Sequence, residues 1–208
     1  EQSDSGESLV DMMELDLIVG SGGVLSHAPR REQSAKMLID SFLPEGVTSL
    51  AVDSIFMMPQ LGVMANIENK DIAEQARVAA LEVFEKDCLI RLGTCIAPVG
   101  KLNNSEKILN VNLEFKNGDK KNIDIGFGDL IRIKVGYEKV KATLTPGKSV
   151  NVGAGFGEQI NTDIYGGQVG IIIDGRGRPL QIDQSSSKRI ADLKKWSDAV
   201  DEYPELGK

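Results

Sequence analysis

Gly20-Ser-Gly-Gly23 stands directly after the apolar stretch Leu15-Asp-Leu-Ile-Val19 and ahead of a helix-forming segment. Glycines at such a place let a ligand approach the backbone closely, and the N-terminus of the following helix offers unpaired N–H groups with partial positive charge. Nucleotides are bound in this way. No Gly-Lys-Ser/Thr follows the glycines and the spacing is not GxGxxG, so neither common phosphate loop is present. A loop without lysine suits a nucleoside or a ribose better than a triphosphate. The competing reading is a glycine turn needed only for tight strand-to-helix packing.

Other residues bear on chemistry less directly. Asp174-Gly-Arg-Gly-Arg-Pro179 offers two guanidinium forks to a phosphate or carboxylate, although its turn-forming composition favours a solvated turn. Gly153-Ala-Gly-Phe-Gly157 reads as a structural loop. His27 has no Ser, Cys and Asp partners at motif spacing, so it reads as a residue at the start of a helix. With that single histidine far from Cys88 and Cys95, no zinc site can be assembled without several carboxylates. The two cysteines are expected to be buried thiols in a reducing, cytoplasmic setting. Met57, Met58 and Met64 are expected in a core, and Arg132 and Lys134 on a wet strand face.

The elements that must hold these residues follow from periodicity. Leu15–Val19 reads as a strand running into the glycine turn, with a helix after Pro29 whose apolar face is Ala35, Met37, Leu38, Ile39 and Phe42. Pro44 and Gly46 stop it, and Val47–Val52 is a second strand. The segment 55–65 is apolar nearly all round, which predicts a buried helix or turn-helix. Asp71–Lys86 is an Ala- and Glu-rich helix, and Cys88–Val99 a strand. Alternating strands and helices give an α/β layer with a partly parallel sheet.

Beyond residue 100 the period changes. Residues 108–115 and 122–125 flank Asn117-Gly118 as a hairpin, and further strands are predicted at 130–135, 140–144, 149–152, 168–173 and 180–182. Short strands with glycine corners suggest a small β-barrel or sandwich. Ser185-Ser-Ser187 can cap a last helix, with Ile190, Leu193, Trp196 and Val200 on one face. All six methionines and both cysteines precede residue 100, whereas fifteen of the twenty-two glycines fall from Gly100 onward. The expected division is a linker or appended remnant at 1–8, an α/β part at 9–99, a β-rich part at 100–184 and a C-terminal helical part at 185–208.

Composition excludes several function classes. The chain has 208 residues with 24 basic and 31 acidic side chains, a net charge of −7. Its basic residues are dispersed, which disfavours a nucleic-acid partner. No apolar run approaches the ~18 residues that span a bilayer, so no membrane partner is expected.

The stretches DLIVGSGGVLSHAPR, LAVDSIFMMPQLGVM, RLGTCIAPVG and GGQVGIIIDGRGRPL resemble the glutamate mutase L family (MutL, unrelated to the mismatch-repair protein). GSGG followed by Pro29 and Gln33, with Gly62-Val-Met-Ala65 one strand later, also resembles the adenosine motif of the actin-like ATPase superfamily. The resemblance implies a nucleotide-binding, chaperone-like part of a reactivating factor. Its partners would be the subunits of an adenosylcobalamin-dependent mutase or aminomutase, such as glutamate mutase or D-ornithine aminomutase, together with an adenosine nucleotide. It implies that Gly20, Ser21, Gly22 and Gly23 contact adenosine or its ribose, that Pro29 and Arg30 line the crevice, and that the complete protein uses ATP/ADP with Mg, none of it covalently bound. The early Asp-x-Gly-Thr/Ser phosphate loop of that superfamily is missing. The chain therefore looks like the C-terminal part of a longer protein, with no catalytic residue, no metal ligand and no ATP turnover of its own. Two alternatives are a small-molecule kinase fragment of the same superfamily and a non-catalytic protein-interaction module.

Overall fold

Leu17–Gly20 (β1) lies parallel to Gly46–Asp53 (β2), so the chain must cross over between them, and it does so through a single turn, Gly23–Ser26 (α1), and a helix, Arg31–Phe42 (α2). Leu43 in the left-handed region, with Pro44 after it, ends α2. Met58–Ala65 (α3), Ala73–Val83 (α4) and a π turn over Phe84–Cys88 lead to Leu89–Ala97 (β3), which pairs antiparallel with β2. The computed structural model describes residues 10–101 and 107–203, so the expected linker at 1–8 lies outside the described residues.

The remaining strands are Val99–Gly100 (β4), Lys107–Glu114 (β5), Lys120–Gly126 (β6), Leu130–Ile133 (β7), Lys139–Pro146 (β8), Val150–Asn151 (β9), Ile160–Tyr165 (β10) and Gly170–Asp174 (β11), followed by the helix Ser186–Ala199 (α5). They do not stay together. β11 inserts parallel to β3 and β7 adds antiparallel to β11, giving a mixed five-stranded sheet of order β1-β2-β3-β11-β7. A second sheet, order β10-β8-β5-β6, is antiparallel and open, and the described residues form no closed barrel. The chain is thus mixed α/β with a C-terminal helix.

The two sheets pack face to face. Ile96, Ile171 and Ile173 of the first meet Leu109, Val111, Val140 and Leu144 of the second. On the other face of the first sheet, Leu50, Val52, Leu92 and Ile172 pack against Leu38 and Ile39 of α2 and Trp196 of α5. Buried on both sides, β11 reads Gly-Ile-Ile-Ile-Asp without alternation, as such a central strand must.

Several expectations are corrected. No strand forms at 180–182, where the chain turns toward α5. The segment 55–65 is not buried: Leu61 is its one buried residue, while Val63 is 76 % and Ile55 55 % exposed. Met57 and Met64 pack into a small core with Leu61, Ala80 and Cys88, but Met58 is exposed. Ile190 and Leu193 of α5 are exposed, and Trp196 and Val200 make its buried contacts. Arg132 is not on a wet face. It is buried, bonded to the carbonyls of Val169 (2.8 Å) and Val200 (3.1 Å) and paired with Glu32 and Asp201. Lys134 is exposed and reaches Asp201 at 2.9 Å. Both cysteines are free and buried, and burial pushes the Cys95 thiol up to about 12.

Candidate functional site

The glycine turn leaves β1 at the carboxyl end of the parallel pair β1–β2, the end at which open α/β sheets take ligands. Its four residues have different jobs. A Cβ on Gly20 would sit 2.9 Å from the side chains of Leu25 and Leu38, so that glycine serves strand-to-helix packing. Gly22 has φ +103°, which side-chain-bearing residues rarely adopt, and neither Gly22 nor Gly23 has any atom within 4 Å of where a Cβ would stand. The space above these two is open. Ser21 turns inward and donates to Asp53 Oδ2 at 3.1 Å.

Asp53, the last residue of β2, is fully buried and organises the turn. Its Oδ1 accepts from the Met57 N–H (3.1 Å), and its Oδ2 from the Met58 N–H (2.8 Å) as well as from Ser21. Its main-chain carbonyl accepts from the Ser26 hydroxyl in α1. One residue therefore ties the glycine turn to the start of α3, whose first N–H groups would otherwise lack acceptors. Burial works to raise the carboxyl pKa, but the N–H groups of Met58 and Met57, the Ser21 hydroxyl and the Ile55 N–H outweigh it and hold Asp53 below the ordinary value of 3.8. A negative charge thus lies beneath the turn at neutral pH.

Asp53→Ala is expected to cost about 2 kcal/mol by leaving buried donors unpaired, with faster amide exchange at Met57 and Met58. Urea unfolding with exchange read by NMR checks this, and unchanged exchange would refute the tie. Since the folded pKa is depressed, the Asp53 contribution is present above 3.8 and is lost as pH falls through the folded value.

The structure groups Gly20, Ser21, Gly22 and Gly23 with Asp53, and it sends Arg30 elsewhere. Arg30 caps α2 through its backbone, whose N–H donates to Gln33 Oε1 at 3.3 Å. Its guanidinium meets Glu32 Oε1 at 3.4 Å, the same oxygen that takes Arg132 at 2.9 Å, and its Nε is buried without a partner. Pro29 lies exposed in the bend before α2, and His27, also exposed, closes α1. Asp53 was not a candidate on sequence, although an acid ending the apolar strand Val47–Val52 was a signal for a cap.

The turn 174–179 is likewise a buried ion cluster rather than a solvated loop. Asp174 Oδ1 accepts from Arg176 Nε (2.8 Å), and Oδ2 from Arg176 Nη2 (2.8 Å) and Arg178 Nη2 (2.9 Å). Arg176 also reaches Asp40 of α2 at 2.8 Å and lies 5.1 Å over the Trp196 ring of α5. Arg178 donates to the Pro44 carbonyl at 3.0 Å. The protein itself thus takes the charge of both arginines, and Arg176 Nη1 is buried without a partner among the described residues. Among the described residues, no three His, Cys, Asp or Glu side chains gather as a metal site, and no helix is long and apolar enough to cross a membrane.

Residues 5–85, which contain the glycine turn, Asp53 and the α3–α4 pair, match the family model described as MutL protein. Over this segment the chain is similar to the MutL family. The match ends near the C-terminus of α4, before β3. No curated protein and no solved structure gives a significant match.

Proposed function

We propose that this chain is the nucleotide-binding part of a reactivating factor for an adenosylcobalamin-dependent mutase or aminomutase. The observation that carries the reading is the MutL match over a segment whose glycine turn is open at Gly22 and Gly23. In that reading an adenosine nucleotide, in the complete protein ATP or ADP with Mg, lays its ribose against the turn. The buried Asp53 charge and the absence of lysine favour the hydroxyl-bearing end of the nucleotide over its phosphates. Nucleotide state would act by binding two conformations of the factor unequally, loosening the mutase so that damaged cobalamin leaves and intact cofactor enters, since equal affinity for both shifts nothing. This chain supplies binding and no catalytic residue. The family connection points to glutamate mutase as the first partner to test, with D-ornithine aminomutase as the second.

Calorimetry with ADP and ATP tests the site. Gly23→Asp is the informative variant, because the position has free space and a helix-start geometry that accepts aspartate. It is expected to leave the melting temperature within about 2 °C and to weaken ADP binding at least about ten-fold by placing a second negative charge at the turn. Equal ADP affinity in wild type and variant would remove the glycine turn from the nucleotide site.

The exposed apolar surface of α3, Met58 and Val63 with Ile55 and Phe56 before them, favours a second reading in which this half docks a protein and the glycine turn is structural. Glutamate mutase binding that persists without any nucleotide affinity would support it.

A further inference from the structure

β10 is an edge strand, and its outer edge is only partly used. In its antiparallel pairing with β8, Ile164 stands opposite Val140 and the Gly166 N–H continues the ladder to the Glu138 carbonyl at 2.9 Å, so residues 160, 162 and 164 direct their backbone groups inward to β8. Asn161, Asp163 and Tyr165 direct theirs outward. At Tyr165 this outward pair is taken by one side chain: the Thr94 hydroxyl donates to the Tyr165 carbonyl (2.8 Å) and accepts from its N–H (3.2 Å). Thr94 stands where the backbone of a neighbouring strand would stand. At Asn161 and Asp163 nothing among the described residues takes that place, leaving two donors and two acceptors free of partners there.

This open edge forms one wall of a groove of about 300 Å³. Val47 and Ser49 of β2 and Thr94 of β3 make its floor, so the groove lies on the part of the first sheet that β10 does not cover. Its charged lining residues are Asp16 and Asp163, both acidic. Lys139 pairs with Asp163 at 2.7 Å, whereas Asp16 is exposed and has no ion-pair partner among the described residues. The edge is not blunted by proline or by an inward-turned lysine, the usual protections of an unpaired strand.

We propose that the outer edge of β10 binds an extended, basic segment of a partner polypeptide, which adds as a fifth strand to the second sheet. The main-chain groups of Asn161 and Asp163 supply its hydrogen bonds. Asp16 receives its Lys or Arg, and the small floor residues Ser49 and Thr94 admit small or β-branched side chains between the charges. Charge chooses the partner here. A basic strand matches Asp16, the groove's carboxylate without an ion-pair partner among the described residues, and is drawn to a chain of net charge −7. The site is separate from the glycine turn and does not depend on nucleotide binding.

Selection of a phage-displayed library of random heptapeptides on the full chain tests this, followed by NMR titration of the synthesised winner. Winners alternating Lys or Arg with small or β-branched residues are expected, with shifted and exchange-protected amides at Asn161 and Asp163. Replacing both residues by proline (Asn161→Pro, Asp163→Pro) removes outward donors without touching the β8 ladder, and is expected to weaken binding at least about ten-fold. If that variant does not fold, a peptide N-methylated at alternate amides makes the same test and is expected to lose binding to the wild-type chain. Asp16→Asn is expected to weaken binding about three-fold and flatten its salt dependence. No enrichment, shifts mapping to another face such as α3, or binding indifferent to both proline and N-methylation would overturn the proposal.

Discussion

Gly93→Ala is expected to leave a chain that does not reach its native fold, or that loses more than about 4 kcal/mol of stability. Gly93 has φ +138°, and a Cβ there would stand 1.7 Å from the carbonyl oxygen of Gly170, its partner across β3 and β11. No side chain can step aside, because the three nearest atoms, the O, C and N of Gly170, are backbone in the middle of the sheet. The position also follows a bulge: Leu50 faces Gly93 but Ala51 faces Arg91, so Leu92 is an extra residue on β3. Gly118→Ala is the control. Gly118 has φ +89° in the β5–β6 turn, but nothing lies within 4 Å of its Cβ position, so the cost is confined to backbone strain of about 1 kcal/mol. Urea unfolding of the two variants separates close approach from positive φ, and equal losses would show that the clash is relieved.

Asp174→Ala is the second large effect, about 4 kcal/mol, with a fall in melting temperature of roughly 10 °C or more. The reason is what remains behind. Arg176 and Arg178 stay buried after the carboxylate that both of them use is gone, and Asp40, partly exposed, is left as the remaining anion for Arg176. Burial works against the Asp174 charge, yet the hydrogen bond and charge of Arg176 and the charge of Arg178 hold its pKa below the ordinary 3.8. A depressed folded pKa means that the contribution is complete above 3.8 and disappears as pH falls through the folded value. Acid unfolding followed by circular dichroism is therefore expected to be steep in the wild type below pH 3.8 and to lose part of that steepness in the variant. An unchanged acid profile would show that the cluster does not govern acid stability.

What could be read from the sequence was what local periodicity encodes. The helix over 31–42, the strand over 46–53 and the hairpin at Asn117-Gly118 follow from spacing and turn chemistry within a dozen residues. Strand partnership did not follow. Leu130–Ile133 and Gly170–Asp174 read as members of a separate β-rich part, yet they complete the sheet begun by Leu17–Gly20, and nothing in their own residues names that partner. Arg176 read as a turn residue because its second carboxylate, Asp40, lies 136 positions away. The 55–65 segment failed in the opposite direction: its composition calls for burial, and within the described residues no surface covers its outer face. At the candidate site the glycines were legible because their need is local. Asp53 was missed because its partners become visible only when β1 and β2 are set side by side.

The order of strands in the first sheet has a temporal meaning. β11 lies between β3 and β7 and is buried on both faces, so the helical core around Leu38 and Trp196 and the inter-sheet core around Ile171 close on the same five residues. Everything from β1 to β10 is synthesised before the strand that joins them. Until then β3 has an unpaired edge and neither core is complete, so the nascent chain waits on its last strand.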